Sequence, residues 1–115
     1  MSALILLSTY QGEKYLAAQL DSLIAQTYSD WILLIRDDGS TDQTISIIHD
    51  YCQRDQRISL VSDSLGNLNT QHSFSQLMKH ALQRDEPYLF FCDQDDIMPP
   101  WDLGDGELFK LFHGL

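Results

Sequence analysis

A chain of 115 residues, 43% of them apolar, has room for one small hydrophobic core, either a single domain or part of a larger one. Its 17 acidic and 7 basic residues give a formal net charge of −10, which excludes the basic footprint that a nucleic-acid partner requires and argues against docking on anionic lipid. No segment reaches the roughly 20 apolar residues of a membrane span, and no apolar stretch led by basic residues marks a secretory signal, so a cytoplasmic location is expected.

The chain opens on Ala3-Leu4-Ile5-Leu6-Leu7, the continuous apolar run of a strand buried on both faces. Ser8-Thr9-Tyr10-Gln11-Gly12 breaks it with polar, turn-forming residues. Tyr15, Leu16, Leu20, Leu23 and Ile24 then recur at helical spacing, and the pattern fades near Gln26-Thr27-Tyr28. Trp31-Ile32-Leu33-Leu34-Ile35 is a second buried strand leading to Asp37-Asp38-Gly39. Ser40 or Thr41 is the expected cap of a helix starting near Asp42, where a carboxylate in the first turn suits the helix dipole. Ile45, Ile47, Ile48 and Tyr51 belong to that helix. Residues 57–61 read as a third, weaker strand and residues 63–67 as a loop. Phe74, Leu77, Met78, Ala81 and Leu82 mark a third helix, Pro87 ends it, and residues 88–92 form a fourth strand.

Strands alternating with helices through short connections predict an α/β fold: a Rossmann-like, open, mainly parallel sheet with right-handed crossovers and helices on both faces. Residues 102–115 read differently, as a loop followed by barely one helical turn. Cys52 and Cys92 match no metal-ligand spacing and read as free thiols. His49, His72, His80 and His113 are scattered, as surface or locally bonded residues would be.

Two strands end in carboxylates: Asp37 and Asp38 after the second, and Asp93-Gln94-Asp95-Asp96 after the fourth. Open parallel sheets bind ligands at the carboxyl ends of their strands, so the two clusters are expected to share one site. Packed carboxylates repel unless a cation joins them, and a hard divalent cation with a phosphorylated ligand suits such a set. An acidic surface turn capping a strand is the plain alternative for the second cluster, and it is weakened because Tyr88-Leu89-Phe90-Phe91-Cys92 before it and Ile97-Met98-Pro99-Pro100-Trp101 after it are core-like. In the first cluster a turn and a helix cap explain Gly39, Ser40 and Thr41, and leave two adjacent carboxylates unexplained. Tyr10, at a strand end, has the aromatic face to stack on a nucleobase, although packing alone would also account for it.

In order along the chain, Ser8-Thr9-Tyr10-Gln11-Gly12-Glu13-Lys14-Tyr15-Leu16, Gln19-Leu20-Asp21-Ser22-Leu23, Gln26-Thr27-Tyr28, Asp37-Asp38-Gly39-Ser40-Thr41-Asp42 and the D-x-D of Asp93-Gln94-Asp95-Asp96 resemble glycosyltransferase family 2. The wording through Asp42 is similar to bacterial rhamnosyltransferase-like members, and the resemblance covers residues 3 to 101. It implies a GT-A nucleotide-sugar fold and an inverting transfer from a UDP- or dTDP-sugar with Mn²⁺ or Mg²⁺. A glycan or lipid-linked acceptor in cell-surface polysaccharide synthesis is implied too, with peripheral association at the inner membrane face. By the same resemblance Ser8, Thr9 and Tyr10 lie around the base, and Asp38 contacts base or ribose with Asp37 beside it. Asp93, Asp95 and Asp96 form the metal-binding set, with Asp93 and Asp95 as the D-x-D pair and either Asp95 or Asp96 as the direct ligand.

Two features depart from the family pattern. Asn69 stands where relatives carry glycine, a position where asparagine tolerates left-handed backbone. Residues 102–115 do not resemble the family's second half, which supplies the acceptor site and general base, so no catalytic base is assigned. Residues 1–101 are therefore expected to be a truncated, donor-binding half with a short tail. The alternative is a catalytically silent fragment that binds nucleotide or associates with itself, as a homodimer burying Trp101, Leu108, Phe109 and Phe112. Other enzymes fail on placement. A phosphoacceptor receiver needs its acidic pair after the first strand, where Ser8-Thr9-Tyr10 stands. A haloacid-dehalogenase-type phosphatase needs its D-x-D there, and here it follows the fourth.

Overall fold

The computed structural model describes residues 3–26, 29–63, 65–86 and 88–92. In chain order these form β1 (Ala3–Thr9), α1 (Leu16–Ile24), β2 (Trp31–Asp37), α2 (Thr44–Arg54), β3 (Ile58–Leu60), α3 (Thr70–Ala81) and β4 (Tyr88–Cys92). All the strand pairings are parallel, and the sheet runs in the order β3-β2-β1-β4.

The unbroken apolar run of β1 has its physical reason in this order. β1 is hydrogen-bonded on both edges and covered on both faces, and all seven of its residues are buried. Ala3, Ile5 and Leu7 point to one face, where they join Leu16, Leu20 and Leu23 of α1, Ile48 and Tyr51 of α2, and Phe90 of β4. Leu4 and Leu6 point to the other face, with Leu34 of β2 and Leu77 of α3, edged by Phe74 and Met78. Right-handed crossovers dictate the layering: two steps in one direction put α1 and α2 on one face. The return across β1 to β4 puts α3 on the other. The order in which strands are added thus reverses at β1, between β2 and β4, which makes the carboxyl ends of β1 and β4 the topological switch point.

Several boundaries differ from the sequence expectation. β2 runs on through Arg36 to Asp37. β3 is trimmed to Ile58–Leu60, and α3 begins at Thr70, ahead of its first apolar residue. Leu82 lies outside α3 and is 79% exposed. Neither Ser40 nor Thr41 caps α2, which starts at Thr44 with no cap bond from the side chain of Gln43. Asp42 instead accepts the Thr44 N–H at 2.9 Å, and Glu13 accepts the Gln43 N–H at 3.1 Å. An aspartate reaches the amide two residues on in an Asx turn, and here that local geometry displaces the expected cap. No helix among the described residues is long and apolar enough to cross a membrane.

Candidate functional site

β1 and β2 stay in register to their last residues, Ser8 beside Arg36 and Thr9 beside Asp37. The polar segments that follow the two apolar runs therefore emerge together at one end of the sheet. Thr9 donates its hydroxyl to Asp37 Oδ1 at 2.8 Å, and Ser8 donates to Ser73 Oγ of α3 at 2.7 Å. Tyr10, the next residue, is 46% exposed. The β1–α1 and β2–α2 loops are clasped by Gln11, whose Oε1 accepts the N–H groups of Thr41 and Asp42 and whose own N–H donates to Ser40 Oγ.

Asp37 and Asp38 do different work. Asp37 closes the turn after β2: Oδ2 accepts the N–H of Gly39 and Ser40, and Oδ1 accepts the hydroxyls of Ser40 and Thr9. The turn needs Gly39, whose φ is +90° and whose missing Cβ would stand 3.4 Å from the Asn67 backbone nitrogen. Asp38 is 3% exposed. Its Oδ1 accepts from Arg36 Nη1 and the Leu68 N–H, both at 2.7 Å, and its Oδ2 accepts from the Asn69 N–H at 3.0 Å. The carboxylate that the family resemblance puts at the nucleoside is thus anchored from below, with acceptor capacity left on Oδ2.

Arg36 is the residue that sequence reasoning missed. It is 1% exposed, and all five of its N–H donors are matched: Nε and Nη2 to the two Asp63 oxygens, Nη2 also to Gly66 O, and Nη1 to Asp38 and to Ser73 Oγ. Burial works against its charge, but the bonds to Asp63 and Asp38 outweigh it, and its pKa stands above the ordinary value. A signal existed: a charged residue directly continuing a buried apolar strand has to find a partner. Ser73 and Asp63 carried no such signal, because each is an ordinary polar residue in a helix or loop pattern.

Hydrogen bonds from partners also hold carboxylates below their ordinary range: Arg36 acts on Asp63, Arg57 on Asp55, and the Thr44 hydroxyl on Asp42. A carboxylate with a lowered folded-state pKa contributes stability above its unfolded value, about 3.9. That contribution is lost as pH falls through the lowered values. Urea midpoints are therefore expected to hold from about pH 7 to about pH 5 and to drop steadily below about pH 4. A flat midpoint through that acidic range would contradict it.

Asn69 has φ 75° and ψ 168°, which is not the left-handed helical region but the mirror-extended one that glycine alone occupies freely. Its side chain compensates in part, since Oδ1 accepts the His72 N–H at 3.1 Å and so caps α3. Asn69→Gly should release about 1–3 kcal/mol of strain, less a few tenths for the cap and up to about 1 kcal/mol of chain entropy. The net expectation is a gain of about 1 kcal/mol, seen as a raised urea midpoint. Asn69→Ala, which keeps the strain and loses the cap, should lower it.

A cavity of about 230 Å³ opens beside this network, at the carboxyl ends of β2 and β3. Asp37, Gly39, Ile45, Leu60, Val61, Ser62, Asp63 and Gly66 line it. Among the described residues, no group of three or more His, Cys, Asp or Glu side chains could hold a metal ion. Asp93, Asp95 and Asp96 directly follow β4 in sequence and lie outside the described residues, as do Trp101, Leu108, Phe109 and Phe112. Cys52 and Cys92 are free thiols. His72 Nδ1 lies 3.2 Å from both Leu68 O and Asn69 Oδ1.

A doubly wound sheet whose polar loops gather at the carboxyl ends of β1 and β2 is the frame of a GT-A nucleotide-sugar transferase, and solved structures of that type superimpose on it. S. aureus TarS 1–349 in complex with UDP matches with a TM-score of 0.76 at 28% identity, over 99% of this chain and 33% of that one. A mannosyltransferase of Pyrobaculum calidifontis, solved with GDP-Man and Mn²⁺, matches in fold at a TM-score of 0.72 and 18% identity, over 84% of this chain and 28% of that one. The profile of Glycosyl transferase family 2 matches residues 4–105, and the chain belongs to that family. The dTDP-rhamnosyl transferase RfbG of Shigella flexneri is 33% identical over 92 residues, 79% of this chain and 32% of that protein. The UDP-Glc:alpha-D-GlcNAc-diphosphoundecaprenol beta-1,3-glucosyltransferase WfgD of Escherichia coli is 30% identical over 93 residues, 81% of this chain and 34% of that protein. The chain thus spans about a third of the length of these relatives.

Proposed function

We propose that the chain forms the donor-binding part of a metal-dependent, inverting glycosyltransferase. It would move a sugar from a UDP- or dTDP-sugar to a glycan or lipid-linked acceptor in cell-surface polysaccharide synthesis. The observation that carries this reading is the Thr9–Asp37 pairing, which delivers an exposed Tyr10 and the Asp37-Asp38-Gly39 turn together at the carboxyl ends of adjacent strands. The neighbouring cavity is smaller than a typical ligand pocket and has room for a single ring, the base. Tyr10 is not among its lining residues, and its exposed ring at the end of β1 is the aromatic face offered for stacking. Asp38 Oδ2 retains acceptor capacity for a base or ribose donor. The named donors of two relatives, UDP-Glc and a dTDP-linked rhamnosyl group, and the UDP bound by TarS support the choice of nucleotides.

In the proposed reaction an acceptor hydroxyl attacks the anomeric carbon from the side opposite the leaving group. A new C–O bond forms as the bond to the diphosphate breaks, and a general base takes the hydroxyl proton. Asp93, Asp95 and Asp96 offer hard oxygen donors, and a bound Mn²⁺ or Mg²⁺ would neutralise charge on the departing diphosphate. A lipid-linked acceptor would set the protein to work in the cytoplasm, at the inner membrane face.

Calorimetric titration with UDP and dTDP, with and without Mn²⁺, tests the donor site. Metal-dependent binding that Asp95→Asn weakens is expected. Tyr10→Ala should raise the Kd roughly tenfold or more, as removal of one stacked base does. A folded chain that binds neither nucleotide would overturn the reading.

A further inference from the structure

We infer that Arg36 is a positioning residue of the donor site: it holds the wall of the cavity proposed above to take the base. The role presupposes that donor-site reading. Two residues of the cavity wall, Asp63 and Gly66, belong to the β3–α3 loop and are direct partners of Arg36. Two more, Asp37 and Gly39, flank Asp38, the other carboxylate that Arg36 grips. Asp38 in turn accepts the Leu68 and Asn69 N–H groups, and its carbonyl accepts from Asn67 Nδ2. One guanidinium therefore fixes the β2 end, both ends of the loop and, through Ser73, the Ser8 hydroxyl of β1.

Apolar packing holds Val61 at the start of the loop and half-buries Leu68, but it does not hold the stretch between them. Leu65 is 49% exposed, Gly66 has a φ of +67° with nothing within 4 Å of its missing Cβ, and Asn67 and Asn69 are exposed. The loop hangs on polar bonds that converge on a single cation between two carboxylates. A lysine carries its charge at a point and cannot span Asp38, Asp63 and Gly66 at once, so the fork geometry is required and not the charge alone.

Two variants test the role in the full chain. Arg36→Lys keeps the charge and loses the fork. Asp63→Asn removes the charge and one of the two acceptor oxygens from Asp63, whose side chain is partly buried, while sparing the buried Arg36–Asp38 pair. UDP affinity is measured by calorimetry. Hydrogen exchange is followed at the Leu68 and Asn69 amides and, for comparison, at Ile5 and Ile35 in the sheet. Both variants are expected to speed exchange at Leu68 and Asn69 while leaving Ile5 and Ile35 protected, and to weaken UDP about tenfold, the worth of one well-made hydrogen bond. Faster exchange in the loop with unchanged UDP affinity would overturn the positioning role and leave the donor site standing. Equal loss of protection at all four amides would reduce Arg36 to a general stabiliser and overturn it as well. Failure of the unaltered chain to bind UDP or dTDP would remove the donor site and the role together.

Discussion

Asp38→Asn is expected to destabilise the domain by about 3–5 kcal/mol, the cost of breaking a buried ion pair from one side. The three groups that face this carboxylate, Arg36 Nη1 and the N–H groups of Leu68 and Asn69, are all donors. An asparagine amide has one oxygen to offer them and turns an N–H₂ toward at least one, leaving a buried donor facing a donor. Asp37→Asn is the contrast. Two of its four partners are the hydroxyls of Thr9 and Ser40, which can rotate to accept from an amide, so a loss of about 1 kcal/mol is expected. Urea unfolding at neutral pH separates the two, provided the m-value is unchanged. Equal, small losses for both would mean that the Arg36 network is not closed in solution.

Phe90→Ala should cost a similar amount, about 3–5 kcal/mol, for a different reason. Phe90 is fully buried in β4 opposite Ile5 of β1, and its ring fills the layer that α1 and α2 share with the sheet. The close-packed surroundings cannot collapse into the space it leaves, so a cavity term adds to the lost transfer energy. Phe90→Leu keeps most of the volume and should cost less than about 1.5 kcal/mol. The difference between the two urea midpoints is the measurement, and a Phe90→Ala loss no larger than the Leu loss would contradict it.

The sheet was legible in the sequence because its central strands β1 and β2 are covered on both faces, and their apolar runs therefore have no alternation to misread. Helices α1 and α2 were legible through their apolar stripes. Helix α3 was read from Phe74 onward, whereas it begins at Thr70: its first turn serves the polar network and carries no apolar signal. The meeting of Thr9 with Asp37 follows from a parallel register that chain order already implied. The Arg36 hub did not follow, because Asp63 and Ser73 reach it only once α3 crosses to the far face of the sheet. The helix cap was misassigned because Ser40 and Thr41 are valid cap residues by type, and the bonds of Asp37 and Gln11 to their N–H groups, with the Asx turn of Asp42, decide otherwise. At Asn69 a left-handed backbone was anticipated, and the sign of φ agrees while ψ falls in a more demanding region.

The Ser8–Ser73 hydrogen bond spans 65 residues of chain and the Arg36–Ser73 bond spans 37. Such bonds reward loop closure only after the strands between them have paired, so the polar hub has no means of nucleating the fold. The hub is thus expected to close only after β1 and β2 have paired and α3 has crossed the sheet, late in folding and not at its start.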